Sequence, residues 1–156
     1  MSKLEEIEAI KQLKYRYFRC LDRKDWAGLA ETLSEDATSA YDSGKYAFSG
    51  REAILKFLRD ALGSPKVVSR HQGHHPEIEL TGPTSARGVW YLEDYVIFGD
   101  NNRALSGAGF YTDEYVKLGG QWKIRSTGYE RTYEQVERRD TIEHVRTMFD
   151  GAREKT

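Results

Sequence analysis

The chain has 156 residues and a formal net charge of −1, so it is sized for one domain with a real core, and its charge argues for neither nucleic acid nor an anionic membrane surface. No apolar run approaches the roughly 20 residues of a membrane span. A single cysteine, Cys20, excludes an internal disulfide framework and fits a reducing cytoplasm, and the charged, amphipathic start "MSKLEEIEAI" has no apolar signal core.

Residues 3–22 read as a helix with apolar positions at 4, 7, 10, 13, 17, 18 and 21. "DRKDW" breaks it, and residues 25–33 read as a second, short helix with Asp25 as N-cap. "ATSAYDSGKYAF" has the pattern of a β-hairpin turned at Asp42-Ser43-Gly44. Ser49 and Glu52 have capping-box spacing, which predicts a third helix carrying Ile54, Leu55, Leu58 and Leu62 on one face and stopping at Gly63. From about residue 67 the period becomes two. Four strand candidates follow, separated by Gly82-Pro83, Asp100-Asn101-Asn102 and Gly119-Gly120. Ile142, Val145, Met148 and Phe149 then recur at helical spacing, so the tail, residues 136–156, is expected to be helical beyond a core of about 4–135. Helices followed by long antiparallel strands make an α+β plan, a curved sheet wrapped around helices as a cone whose open end is a ligand pocket.

Polar residues on apolar faces point to where that pocket works. Ten tyrosines suggest a polar-edged interior, since a buried phenol needs a partner for its hydroxyl. In the strand 86–98, Asp94 shares its register with Trp90, Leu92 and Val96. A carboxylate there must find a donor, such as a histidine, or be protonated; the plain alternative is that Asp94 sits at a bulge or pairs with an arginine for structure. "SRHQGHH" holds three of the four histidines. A neutral imidazole oriented by a carboxylate is a better functional reading of the His71, His74 and His75 cluster than a metal site, because no Cys or helical H-E-x-x-H accompanies it; the plain alternative is that all three are satisfied polar residues at a strand end. Tyr17 and Asp22 sit on or just past the inward stripe of the first helix, with core packing and a turn role as their alternatives. Arg131, alternating with Tyr129 and Tyr133, is either a solvated strand arginine or a pocket cation. Cys20 reads as a small buried hydrophobe.

The strings "IEAIKQLKYRYFRCLD", "RHQGHHPEI", "GVWYLEDYVIF", "GAGFYTDEYVKLGGQWKI" and "TGYERTYE" resemble the bile acid 7α-dehydratases, within the SnoaL-like group of the NTF2-like (cystatin-like) superfamily that also holds scytalone dehydratase and ketosteroid isomerase. The resemblance covers roughly residues 7–135, and His75 is a local departure from it. It implies an α+β cone and catalytic roles for Tyr17, Asp22, His71 and Asp94, with Tyr41 and Arg131 as substrate-positioning residues. It implies dehydration of a 7α-hydroxy-3-oxo-4-ene steroid, as a bile acid or its coenzyme A ester, without metal or redox cofactor. His71 is expected to act as base and then acid, with Asp94 fixing its tautomer. The resemblance also implies a homo-oligomer, a trimer, and an outer sheet face carrying Tyr91, Tyr95 and Ile97 could serve as its interface. Two other readings stand beside this one: ketosteroid isomerase or another small-molecule dehydratase on the same cone, and a non-catalytic ligand-binding domain.

Overall fold

Helix α1 (Lys3–Arg23) begins at a true capping box: the Ser2 hydroxyl accepts from the Glu5 backbone N–H, and the Ser2 N–H donates to the Glu5 carboxylate at 2.6 Å. It ends where Lys24 turns left-handed, at φ 58°, and its N–H closes on the last carbonyls of the helix. At ~1.5 Å per residue the helix is about 30 Å long, enough to cross the sheet. The chain continues through α2 (Trp26–Thr32), β1 (Leu33–Tyr41), β2 (Tyr46–Ser49), α3 (Arg51–Leu62), β3 (Val67–Gly82), β4 (Ser85–Phe98), β5 (Arg103–Leu118), β6 (Gln121–Arg138) and α4 (Asp150–Arg153). This computed structural model describes residues 2–153. No helix among them is long and apolar enough to cross a membrane.

The six strands form one curved, mixed sheet in the order β2-β1-β6-β5-β4-β3. Four neighbouring pairs are antiparallel as expected, while β1 runs parallel to β6, with α3 and four strands between them in the chain. The concave face of β4 buries Ala86, Trp90, Leu92, Asp94 and Val96, the register predicted from the sequence. α1 lies across that face and packs Ile10, Tyr17, Phe18 and Leu21 into a common core with Trp90, Tyr111 and Ile124. Gly73 of β3 makes this crossing possible, because a Cβ there would strike the Phe18 ring.

Two local expectations are corrected. The cap of α3 is Gly50, at φ 91°, and not a Ser49–Glu52 box, because Ser49 is held in β2 opposite Thr38. The tail is not one helix. β6 takes residues up to Arg138, residues 142–147 are irregular, and only α4 is helical; residues 154–156 lie outside the described residues. The spacing of Ile142, Val145 and Met148 finds no groove, and all three remain exposed. The segment is tied instead at its ends, by Arg139 N–H to the Asn102 carbonyl and by the Phe149 ring 4.7 Å from the Lys24 ammonium.

Candidate active site

The mouth of the cone opens between α1, α3 and the concave sheet. Its cavity has about 660 Å³ of empty space, a figure that includes open solvent at the mouth. Apolar residues of α3 and of the β4 and β5 ends, among them Phe57, Leu58, Leu62, Phe98 and Leu105, make most of the wall. Tyr17, Tyr41, His71, Asp94 and Arg131 all line it. Asp22 stands behind His71.

Asp22 is on the last turn of α1, which ends above β3. Its Oδ1 is 2.7 Å from His71 Nδ1 and accepts from the Ser69 hydroxyl at 2.9 Å, while Oδ2 accepts the His71 backbone N–H at 2.8 Å. Three donors converge on this carboxylate, and a carboxylate only accepts. The network therefore assigns the ring proton to Nδ1 and leaves Nε2 as the free acceptor at the cavity wall.

This corrects the expected partner. His71 and Asp94 face each other across the β3–β4 ladder, yet the ring of His71 turns to α1. Asp94 is taken by Arg131, whose Nη1 and Nη2 donate to its two oxygens at 2.8 Å each. Both side chains are largely buried, and Asp94 pushes the guanidinium still further up from its already high value, so Arg131 stays charged. Glu134 flanks Arg131 Nε at 2.9 Å.

Reaching Asp94 from β6 requires Arg131 to pass over β5. Gly107, the ladder partner of Asp94, leaves that space: a Cβ there would lie well inside contact distance of Arg131 Nη1. Gly107→Ala is therefore expected to crowd the guanidinium and the Tyr133 carbonyl and to loosen the pair, at the cost of about 1–3 kcal/mol of an overpacked site. Chemical unfolding measures this; a variant as stable as the wild type, with its activity intact, would contradict the requirement.

Tyr17 and Tyr41 meet hydroxyl to hydroxyl at 3.0 Å. Burial pushes the Tyr17 phenol well above its ordinary value, with Tyr41 and Tyr111 adding to the shift, and burial likewise raises Tyr41. Both remain protonated donors at neutral pH. Cys20 is buried at the Asp25 carboxylate, and burial first and Asp25 second push its thiol up, away from nucleophilic use. His74 and His75 lie apart from His71: His74 is 3.8 Å from Glu93, and His75 meets the exposed Tyr91 edge-on.

The sequence reading missed three residues of this region. Tyr111 and Tyr129 also line the cavity, their rings 5.4 Å apart. Lys14 is fully buried one turn before Tyr17. The alternation that flagged Asp94 applies equally to β5, where it places Gly107, Gly109, Tyr111, Asp113 and Tyr115 on one inward face. Lys14 is four residues after Ile10, on the same stripe of α1.

A family model described as a SnoaL-like domain matches residues 2–128. Among solved structures, a candidate scytalone dehydratase from Novosphingobium aromaticivorans DSM 12444 is 24% identical, with a TM-score of 0.78 over 92% of this chain and 91% of its own. The hexachlorocyclohexane dehydrochlorinase LinA-type3 from Novosphingobium barchaimii LL02 is 20% identical, with a TM-score of 0.79 over 93% and 97%. ActVI-ORFA from Streptomyces coelicolor is 20% identical, with a TM-score of 0.70 over 82% and 98%. What these structures share with the chain is the NTF2-like α+β cone.

Proposed function

The chain belongs to the SnoaL-like domain family, and from that premise we propose that it is a hydro-lyase that removes water from a 7α-hydroxy-3-oxo-4-ene steroid, a bile acid or its coenzyme A ester. One observation carries the chemistry: His71, held at Nδ1 by Asp22 at 2.7 Å, presents Nε2 to an apolar cavity that also holds a phenol pair. The names of the structural relatives support the reaction type, since a dehydratase and a dehydrochlorinase both remove a proton and a leaving group. The steroid rests on the sequence strings that resemble the bile acid 7α-dehydratases and on the apolar wall of the cavity.

The C6 proton of such a substrate is conjugated through the enone to the C3 carbonyl. His71 Nε2 takes that proton, and the C–H electron pair moves through the enone to O3, giving a dienolate. Asp22 stabilises the imidazolium that forms. The electrons then return, the C6–C7 double bond forms and the C7–O bond breaks. The imidazolium gives its proton to the departing hydroxyl, which leaves as water. The product is a 4,6-dien-3-one, and His71 is again neutral. The substrate supplies its own electron sink, so the reaction calls for no cofactor.

Tyr17, kept protonated by burial, is the donor for O3, and its hydroxyl is held in place by that of Tyr41 at 3.0 Å, where either oxygen can donate. Arg131, locked on Asp94, is a fixed wall of the site that positions substrate and takes no proton.

The reading is tested by incubating the purified protein with the 7α-hydroxy-3-oxo-4-ene acid and with its coenzyme A ester, following the extended-dienone absorbance. Product from either supports it. No product from either, or only conversion of a 5-ene-3-ketosteroid to its 4-ene isomer, overturns the dehydration.

A further inference from the structure

The mechanism above leaves one buried charged pair without a use. Lys14 and Asp113 are both fully buried, with Nζ 2.7 Å from Asp113 Oδ2. The carboxylate also accepts from Thr127 Oγ1 at 2.6 Å and from the Tyr115 hydroxyl at 2.8 Å, and Trp90 Nε1 donates to that hydroxyl at 2.9 Å. Lys14 reaches Thr127 Oγ1 at 3.4 Å. The negative end of the pair is thus anchored among β4, β5 and β6, none of whose anchoring side chains lines the cavity.

The positive end faces the other way. Lys14 Nζ stands 3.8 Å from the centre of the Tyr111 ring and 4.8 Å from that of Tyr17. Both tyrosines line the cavity. A buried ion pair is often replaceable by apolar residues of similar volume without loss of stability, so packing alone does not call for this one. A cation over a phenol face draws electron density from the ring. The attached hydroxyl becomes a stronger hydrogen-bond donor. Tyr111 is buried at the cavity wall, and burial pushes its phenol well above the ordinary value, so it stays a protonated donor.

We propose that Tyr111 is a further substrate-contacting donor of this site and that Lys14, anchored on Asp113, is the positioning residue that orients and strengthens it. This rests on the dehydratase reading and deepens it. A carbonyl oxygen has two lone pairs; Tyr17 takes one and Tyr111 the other as charge develops on O3, while Tyr41 backs Tyr17. The substrate class that follows is a conjugated ketone whose oxygen reaches the aromatic floor, with its acidic C–H at His71.

The test uses the 4,6-dien-3-one product as a spectroscopic probe, because its long-wavelength band moves to the red as hydrogen bonds to O3 strengthen. Wild type is compared with Tyr111→Phe and with the charge-neutral double variant Lys14→Met/Asp113→Asn, all checked by thermal melting. Lys14→Met/Asp113→Leu serves if the first double variant does not fold. The wild type is expected to shift the band. Tyr111→Phe should melt like the wild type, lose much of the shift and lose about 10²-fold in kcat, the scale of one oxyanion donor. The double variant keeps the Tyr111 hydroxyl and is expected to lose part of the shift, with kcat affected more than KM. A wild-type shift and turnover in Tyr111→Phe overturns the proposal while leaving the dehydratase reading standing. A wild-type shift in the folded double variant overturns the role of Lys14. Failure of the wild type to bind the dienone overturns the dehydratase reading and this proposal with it.

Discussion

Replacing His71 with alanine is expected to lower kcat by about 10³–10⁴-fold, the range for a group that both takes and returns the proton. Among the described residues that line the cavity, the ring is the group left to carry that proton, because Asp94 is tied to Arg131 and Tyr17 is held protonated. The variant should still fold. Asp22 keeps the backbone N–H of residue 71 and the Ser69 hydroxyl as donors, so no buried carboxylate is stranded. Melting temperature near that of the wild type, together with the loss of dienone formation, is the expected pair of results. Retention of more than a tenth of the turnover would remove His71 from the mechanism and leave the fold untouched.

Asp22→Asn is expected to cost about 10²–10⁴-fold in kcat, although the two side chains have nearly the same shape. In the protein both carboxylate oxygens accept, from the His71 ring, the His71 backbone N–H and Ser69. Asparagine has only one acceptor. If its oxygen keeps the backbone N–H, its NH₂ faces Nδ1 and drives the ring proton to Nε2, where a donor replaces the base. If it turns over, the NH₂ faces the backbone N–H. In either case the imidazolium loses its charged partner. Asp94→Asn is the informative contrast: it loosens the hold on Arg131 but leaves the tautomer of His71 alone, so it should act on substrate affinity more than on kcat. Steady-state kinetics on both variants, with the order of their kcat effects reversed, would show that Asp94 orients the histidine after all.

The sheet was legible because strand alternation is a strong local signal. It placed Trp90 and Asp94 inside and Val89 and Tyr91 outside, and the structure agrees. The members of the cavity followed from the resemblance, and Tyr17, Tyr41, His71, Asp94 and Arg131 do line one space. Their pairing was not legible. Ladder register sets His71 opposite Asp94, but which carboxylate a ring meets depends on where α1 ends over β3, a tertiary distance no local pattern encodes. Arg131 reaches Asp94 only because Gly107 is bare, a fact visible once three strands are assembled. Lys14 was hidden for a different reason. A lysine on an amphipathic helix normally keeps its ammonium in water, and its burial makes sense only with Asp113, from a strand far along the chain. The tail failed in the opposite direction, since helical periodicity without a partner groove leaves its apolar residues in solvent.

The central claim is that the His71–Asp22 pair addresses the acidic C–H of an enone whose oxygen lies at the tyrosine end of the cavity. A crystal structure with the 4,6-dien-3-one product bound tests it most directly. The expected result places His71 Nε2 within about 3.5 Å of the steroid C6, near-attack distance, with O3 in hydrogen-bond reach of the Tyr17 hydroxyl. A steroid seated in the cavity with O3 against His71, or with C6 beyond reach of its ring, would contradict the account.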